Sequence, residues 1–158
     1  MGSRFVLILA LASAALAQGI PPHTELRVVR DPRQQLLFEF SEARGQFSDA
    51  IEELRSNFWV EKNRKKAVKT IDQKVDVFLR YLRVASTERP TFEPGDLKTL
   101  TPMQLAAEAL KLSQSLRSEL RQVARTENNT IVPVSHWEFL YKVESNLLRL
   151  KWMGSQLR

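Results

Sequence analysis

Apolar residues recur along most of the chain at alternating intervals of three and four, the period of a helix with one buried face. Leu36, Phe40, Ala43, Phe47, Ala50, Leu54 and Phe58 form one such stripe, with Ile51 beside it. Val68, Ile71, Val75, Phe78, Leu82 and Ala85 form a second. The run Glu61-Lys62-Asn63-Arg64-Lys65-Lys66 between them contains no apolar residue. One helix carrying both stripes would measure roughly 80 Å at 1.5 Å per residue, too long for a compact domain of this size. The pattern therefore predicts two antiparallel helices with a short turn near Lys62 to Arg64.

Two more helices follow. The third opens on Thr101-Pro102-Met103-Gln104, a capping box with proline at the first helical position, and its stripe is Leu105, Ala109, Leu112, Leu116, Leu120 and Val123. Ser135-His136-Trp137-Glu138 is a second capping box, and Gly154 reads as the C-cap of the helix that it starts. Asp31-Pro32 opens the first helix in the same way, as N-cap and first helical residue. Glu88 to Thr101 and Thr126 to Val134, which hold Pro90, Pro94, Gly95 and Pro133, are connecting loops. The fold expected is all-α, an up-and-down bundle of about four amphipathic helices.

The fourth helix has an apolar arc about twice as wide as its polar one, which comprises Glu138, Lys142, Ser145, Asn146 and Arg149. Phe139, Leu140, Val143, Leu147 and Leu150 form one stripe; Trp137, Tyr141, Leu148 and Trp152 form another, with Glu144 and Lys151 between them. Burial between two neighbouring helices accounts for such an arc. The alternative is that Trp137, Tyr141, Leu148 and Trp152 line a partner surface or an apolar ligand cleft, where Trp and Tyr are favoured.

The N-terminus departs from this pattern. Met1 to Arg4 carries one positive charge, Phe5 to Leu16 is apolar, and Ala15-Leu16-Ala17 precedes Gln18 with small residues at both cleavage positions. This is the layout of a cleaved secretory signal peptide over residues 1–17, and the apolar stretch is shorter than the ~20 residues that cross a bilayer. An extended arm over 18–30 and a single helical domain over 31–158 follow. No later segment is apolar enough to span a membrane.

Composition narrows the chemistry. Among 158 residues there is no cysteine, and there are two histidines and five glycines. Disulfide frameworks, zinc fingers and thiol nucleophiles are excluded. An extracellular domain without disulfides must be held by packing. Ser135-His136 sits in a capping box, where the serine oxygen is committed to backbone N–H groups. His23 and His136 have no metal-ligand spacing, and no glycine-rich phosphate loop is present. No cofactor, metal site or catalytic residue is expected, and Glu52-Glu53 serves solubility.

The formal charge of +6 falls to +5 when Arg4 leaves with the signal peptide. Lys62, Arg64, Lys65, Lys66 and Lys69 make one basic cluster, and Arg117, Arg121 and Arg125 line the third helix. In a secreted protein nucleic acid is not the expected partner. A solvated surface or weak attraction to an extracellular polyanion remains. Asn128-Asn129-Thr130 is a glycosylation sequon in a loop. The function expected is non-enzymatic binding of another extracellular protein, and the alternative is an extracellular carrier of a lipid or other apolar small molecule.

Overall fold

The computed structural model describes residues 32–85, 89–125 and 134–158. The expected signal peptide (1–17), the expected N-terminal arm (18–30) and Asn128 lie outside these residues. The described residues form four long helices and no strand: α1 (Pro32–Ser56), α2 (Glu61–Ala85), α3 (Pro102–Arg125) and α4 (Val134–Gln156), with a short 3₁₀ helix, Gly95–Thr99, between α2 and α3. Residues 32–35 are the first turn of α1, and Leu36–Arg158 is the compact unit that holds the core. The all-α helical bundle is as expected.

The first two stripes are separate helices, but the turn between them is earlier than the polar run predicts. The N–H of Val60 donates to the Asn57 carbonyl at 3.0 Å, and that of Arg64 donates to the Val60 carbonyl at 2.9 Å, so α2 already runs from Glu61. Lys62 to Arg64 lie within its first turn. The polar run is an exposed helix start, in which Glu61 faces the positive end of the helix dipole and pairs with Lys65 at 2.9 Å. Arg64 fixes the turn: its Nη1 donates to the Phe58 carbonyl at 2.9 Å and its guanidinium lies 5.9 Å from the Phe58 ring centroid.

Aromatic rings join α1 to α2. Phe40 stacks on Tyr81 at 4.2 Å and meets Phe78 edge-on at 5.6 Å, while Phe47 meets Phe78 edge-on at 5.2 Å. The start of α1 thus faces the end of α2, as in an antiparallel hairpin. Around these rings Ile51, Leu54, Leu116, Leu120, Leu147 and Leu150 are buried, so all four helices contribute to one core.

The order of the remaining helices corrects the up-and-down expectation. Pro102 and Ala106 at the start of α3 share one cleft with Glu61, Arg64 and Lys65 at the start of α2. Those two helices therefore run in the same direction. The same cleft takes Gln156 and Arg158 from the end of α4, and Asp76 pairs with Lys151, so α4 runs against both. The directions are up, down, down, up, and the connection from α2 to α3 must travel the length of the bundle.

It does so beside α4. Arg89 reaches Glu144 at 3.6 Å, Phe92 lies 6.3 Å from Trp152, Leu97 is buried in the core, and Thr101 caps α3. The cap is reciprocal: the Thr101 N–H donates to Gln104 Oε1 at 2.9 Å, and the Gln104 N–H donates to Thr101 Oγ1 at 3.3 Å. Thr101→Ala is expected to lower stability by about 1 kcal/mol with helical content unchanged, as read by urea denaturation and circular dichroism.

Gly154 is not a C-cap. It is buried inside α4, which continues to Gln156, and lies against the buried Asp72 of α2. A Cβ at position 154 would come within 3.1 Å of Asp72 Oδ1 and 3.3 Å of Asp72 Cβ. Asp72 is held in place by its pair with Arg158. Gly154→Ala should therefore destabilise, because overpacking at about 1–3 kcal/mol outweighs the better helix propensity of alanine. At Gly45 a Cβ would meet nothing within 4 Å, so Gly45→Ala should stabilise by about 0.5–1 kcal/mol. Thermal melts of the two variants should move in opposite directions.

Candidate functional site

The helical period of α4 sends its two apolar stripes to different surroundings. Leu140, Val143, Leu147 and Leu150 are buried in the core, joined by Met153, and Phe139 packs partly buried against them. Of the outer stripe, Leu148 and Trp152 are partly buried against the core, and Phe92 of the crossover lies against Trp152. Trp137 and Tyr141, one turn apart, remain 41% and 42% exposed. The four residues are thus divided into an open aromatic pair and a covered half.

The polar residues between the stripes also separate. Glu144 is buried and held by Arg89, whose Nη2 also donates to the Arg83 carbonyl at 2.6 Å. Lys151 stays exposed in its pair with Asp76. His136 is half-buried, with its ring 6.0 Å from that of Phe139. α4 begins at Val134, one residue ahead of the expected cap, and the side chain of Ser135 lies outside the described residues.

The basic cluster lies on the first turns of α2. Lys62, Lys65, Lys66 and Lys69 are exposed and Arg64 is half-buried against the turn. Glu61 neutralises Lys65, whereas Lys62, Lys66 and Lys69 have no carboxylate within ion-pair distance among the described residues. Next to them Trp59, at the tip of the turn, is 83% exposed. Sequence reasoning passed over this residue because it falls outside the stripe that contains Phe58. The available signal was a tryptophan two residues ahead of a purely polar run.

A second basic group arises only where α1 meets α3. Ser41, Arg44, Gly45 and Ser48 share one face of α1, and Arg117 and Arg121 come from α3; together they line a cleft of about 250 Å³. Arg117 donates to Glu52 at 2.9 Å, and Arg55 donates to the other oxygen of that carboxylate at 2.7 Å. Hydrogen bonds from Arg117 and then Arg55 hold the Glu52 carboxyl below its ordinary range, so this pairing outlasts ordinary carboxylates as pH falls. Arg44 is also shifted downward from its usual value, by burial first and then by the charges of Arg121 and Arg125, which for a guanidinium disfavours the charged form.

Among the described residues no three His, Asp or Glu side chains gather in a metal-binding arrangement, and no helix is long and apolar enough to cross a membrane. Compared with known proteins, the chain matches no family model, no curated protein and no solved structure.

Proposed function

We propose that this is a secreted, non-enzymatic binding protein that docks another extracellular protein on the outer face of α4. The observation that carries this reading is the exposure of Trp137 and Tyr141 on a helix whose other stripe completes the core. Large aromatic side chains left in water on a rigid helix fit the anchors that dominate protein interfaces. Secretion rests on the leader pattern of residues 1–17, and in that setting the Asn128 sequon would carry a glycan. Lys62, Arg64, Lys65, Lys66 and Lys69 add weak, salt-sensitive attraction to polyanions.

The carrier alternative calls for a cavity lined by Phe and Leu. The cleft between α1 and α3 is lined mainly by arginine and serine, and the one at the start of α2 mixes charged side chains with Val68, Ala106 and Leu157.

Native mass spectrometry of the protein from its natural source, combined with a photo-crosslinking residue at position 141, tests the reading. The expected product is a discrete protein adduct. Once purified, that partner should bind saturably, and Trp137→Ser with Tyr141→Ser should weaken it by at least about tenfold. These exposed positions should leave stability within about 0.5 kcal/mol of the parent. A retained apolar small molecule without any protein adduct would overturn the proposal in favour of a carrier.

A further inference from the structure

The cleft between α1 and α3 shares no residue with the aromatic face of α4, and its chemistry is different. Among the described residues, buried Asp72 pairs with Arg158 and buried Glu144 with Arg89. Half-buried Arg44 has no such pair, nor do the exposed Arg121 and Arg125 near it. None of the three has a carboxylate within ion-pair distance among the described residues, and Glu52, farther along α1, is already shared between Arg117 and Arg55. Arg44 and Arg121 thus face one concavity, and Arg125 adds its charge from nearby.

Such a gathering is unfavourable by itself. Burial and the neighbouring cations both work against the charged form of Arg44. A bound anion would offset both effects, since it supplies the missing counter-charge where solvent is partly excluded.

The geometry also selects the anion. Arg44 on one helix and Arg121 on the other present guanidinium forks, which match oxyanions through paired hydrogen bonds. Ser41 and Ser48 add hydroxyl donors one turn to either side of Arg44. The space over Gly45 is open, with nothing within 4 Å of where a Cβ would stand. Donors arriving from two helices need an acceptor with oxygens in several directions; a planar carboxylate has only two. With Arg117 engaged by Glu52, Arg44 and Arg121 are the two cleft cations without an acid partner, a charge complementary to a dianion.

We propose that the cleft formed by Ser41, Arg44, Ser48, Arg117 and Arg121 is a binding site for a tetrahedral oxyanion, a sulfate or phosphate group. It differs from the lysine patch on α2, whose exposed ammonium groups act as separate point charges. The group is held by guanidinium forks in a shaped recess, so binding saturates with one anion per chain.

Titration calorimetry on the folded full-length protein tests this, with ionic strength held constant by sodium chloride. The probes are inorganic sulfate, inorganic phosphate and a heparin-derived sulfated disaccharide. Saturable one-to-one binding of either free ion supports the site with a free anion as its source. Binding of the disaccharide alone supports it with a sulfate ester as the source. In either case Arg44→Gln with Arg121→Gln should weaken binding by at least about tenfold, while Lys62→Gln with Lys66→Gln leaves it unchanged. The arginine variant should also melt no lower than the parent, since it removes mutual repulsion. No saturable binding of any probe overturns the proposal, and so does binding that survives the arginine substitutions or is lost equally with the lysine ones. Because the α4 face is untouched by all four substitutions, failure here leaves the protein-binding reading standing, and its failure leaves this site standing.

Discussion

A chain lacking Thr91–Lys98 is expected not to fold as a monomer. The connection between α2 and α3 comprises residues 86–101, and it must return from the end of α2 to its start, where α3 begins. α2 has 25 residues, a length of about 36 Å at 1.5 Å per residue. After the deletion the eight remaining residues reach at most about 31 Å, even fully extended at ~3.4 Å per step. In an up-and-down bundle the same eight would be ample, because the next helix would start only about 10 Å away. Light scattering with circular dichroism should therefore find an unfolded chain or a swapped dimer. Replacing Thr91–Lys98 by eight Gly and Ser residues restores the reach and should restore a monomer, destabilised by the loss of Phe92 and Leu97 from their packing. A folded monomer of the shortened chain, as stable as the parent, would show that α2 and α3 do not run in the same direction.

Phe78→Ala is expected to lower stability by about 3–5 kcal/mol. The ring is fully buried and meets both Phe40 and Phe47 edge-on, so its removal leaves a void lined by two rings that cannot both collapse into it. Domains of this kind have only about 5–15 kcal/mol in total, and this one has no cysteine with which to compensate. Urea denaturation should show the midpoint falling steeply. Trp59→Ala removes a larger ring from a site that is 83% exposed and should cost less than about 1 kcal/mol. Comparable losses in the two variants would mean that the Phe40–Phe47–Phe78 cluster does not organise the core.

Several local features could be read from the chain because they depend on near neighbours. The Thr101–Gln104 capping box forms both of its hydrogen bonds, since donor and acceptor are three residues apart and a helix start alone brings them together. Phe40, Phe47, Leu54, Val75, Phe78 and Leu82 lie buried where their period puts them. The turn between α1 and α2 was misread by four residues, because a run without apolar residues describes a solvated helix start as well as a turn. Gly154 was misread for a related reason: a glycine near a helix end looks alike whether it relieves the backbone or admits a neighbouring side chain, here that of Asp72.

The candidate sites were legible in proportion to how local they are. The two stripes of α4 follow from one helix, so Trp137 and Tyr141 could be named from the chain. That Trp152 is partly covered depends on Phe92 in a segment that crosses the bundle. The arginine cleft was hidden for the same reason, since Arg44 and Arg121 are 77 positions apart in the chain and Arg44 by itself is one more cation on a polar face.

By itself, the sequence determined that the protein is helical, which faces of the helices are apolar, and that packing without disulfides must hold it together, because period, capping and composition act over a few residues. Only the tertiary structure decided the direction in which α3 runs, the burial of Asp72 and Glu144 with their partners, and the meeting of arginines from two helices. A connection of sixteen residues is long enough either to loop back locally or to cross the bundle, and the choice is made by which packing buries Leu97 and the faces of α3 and α4.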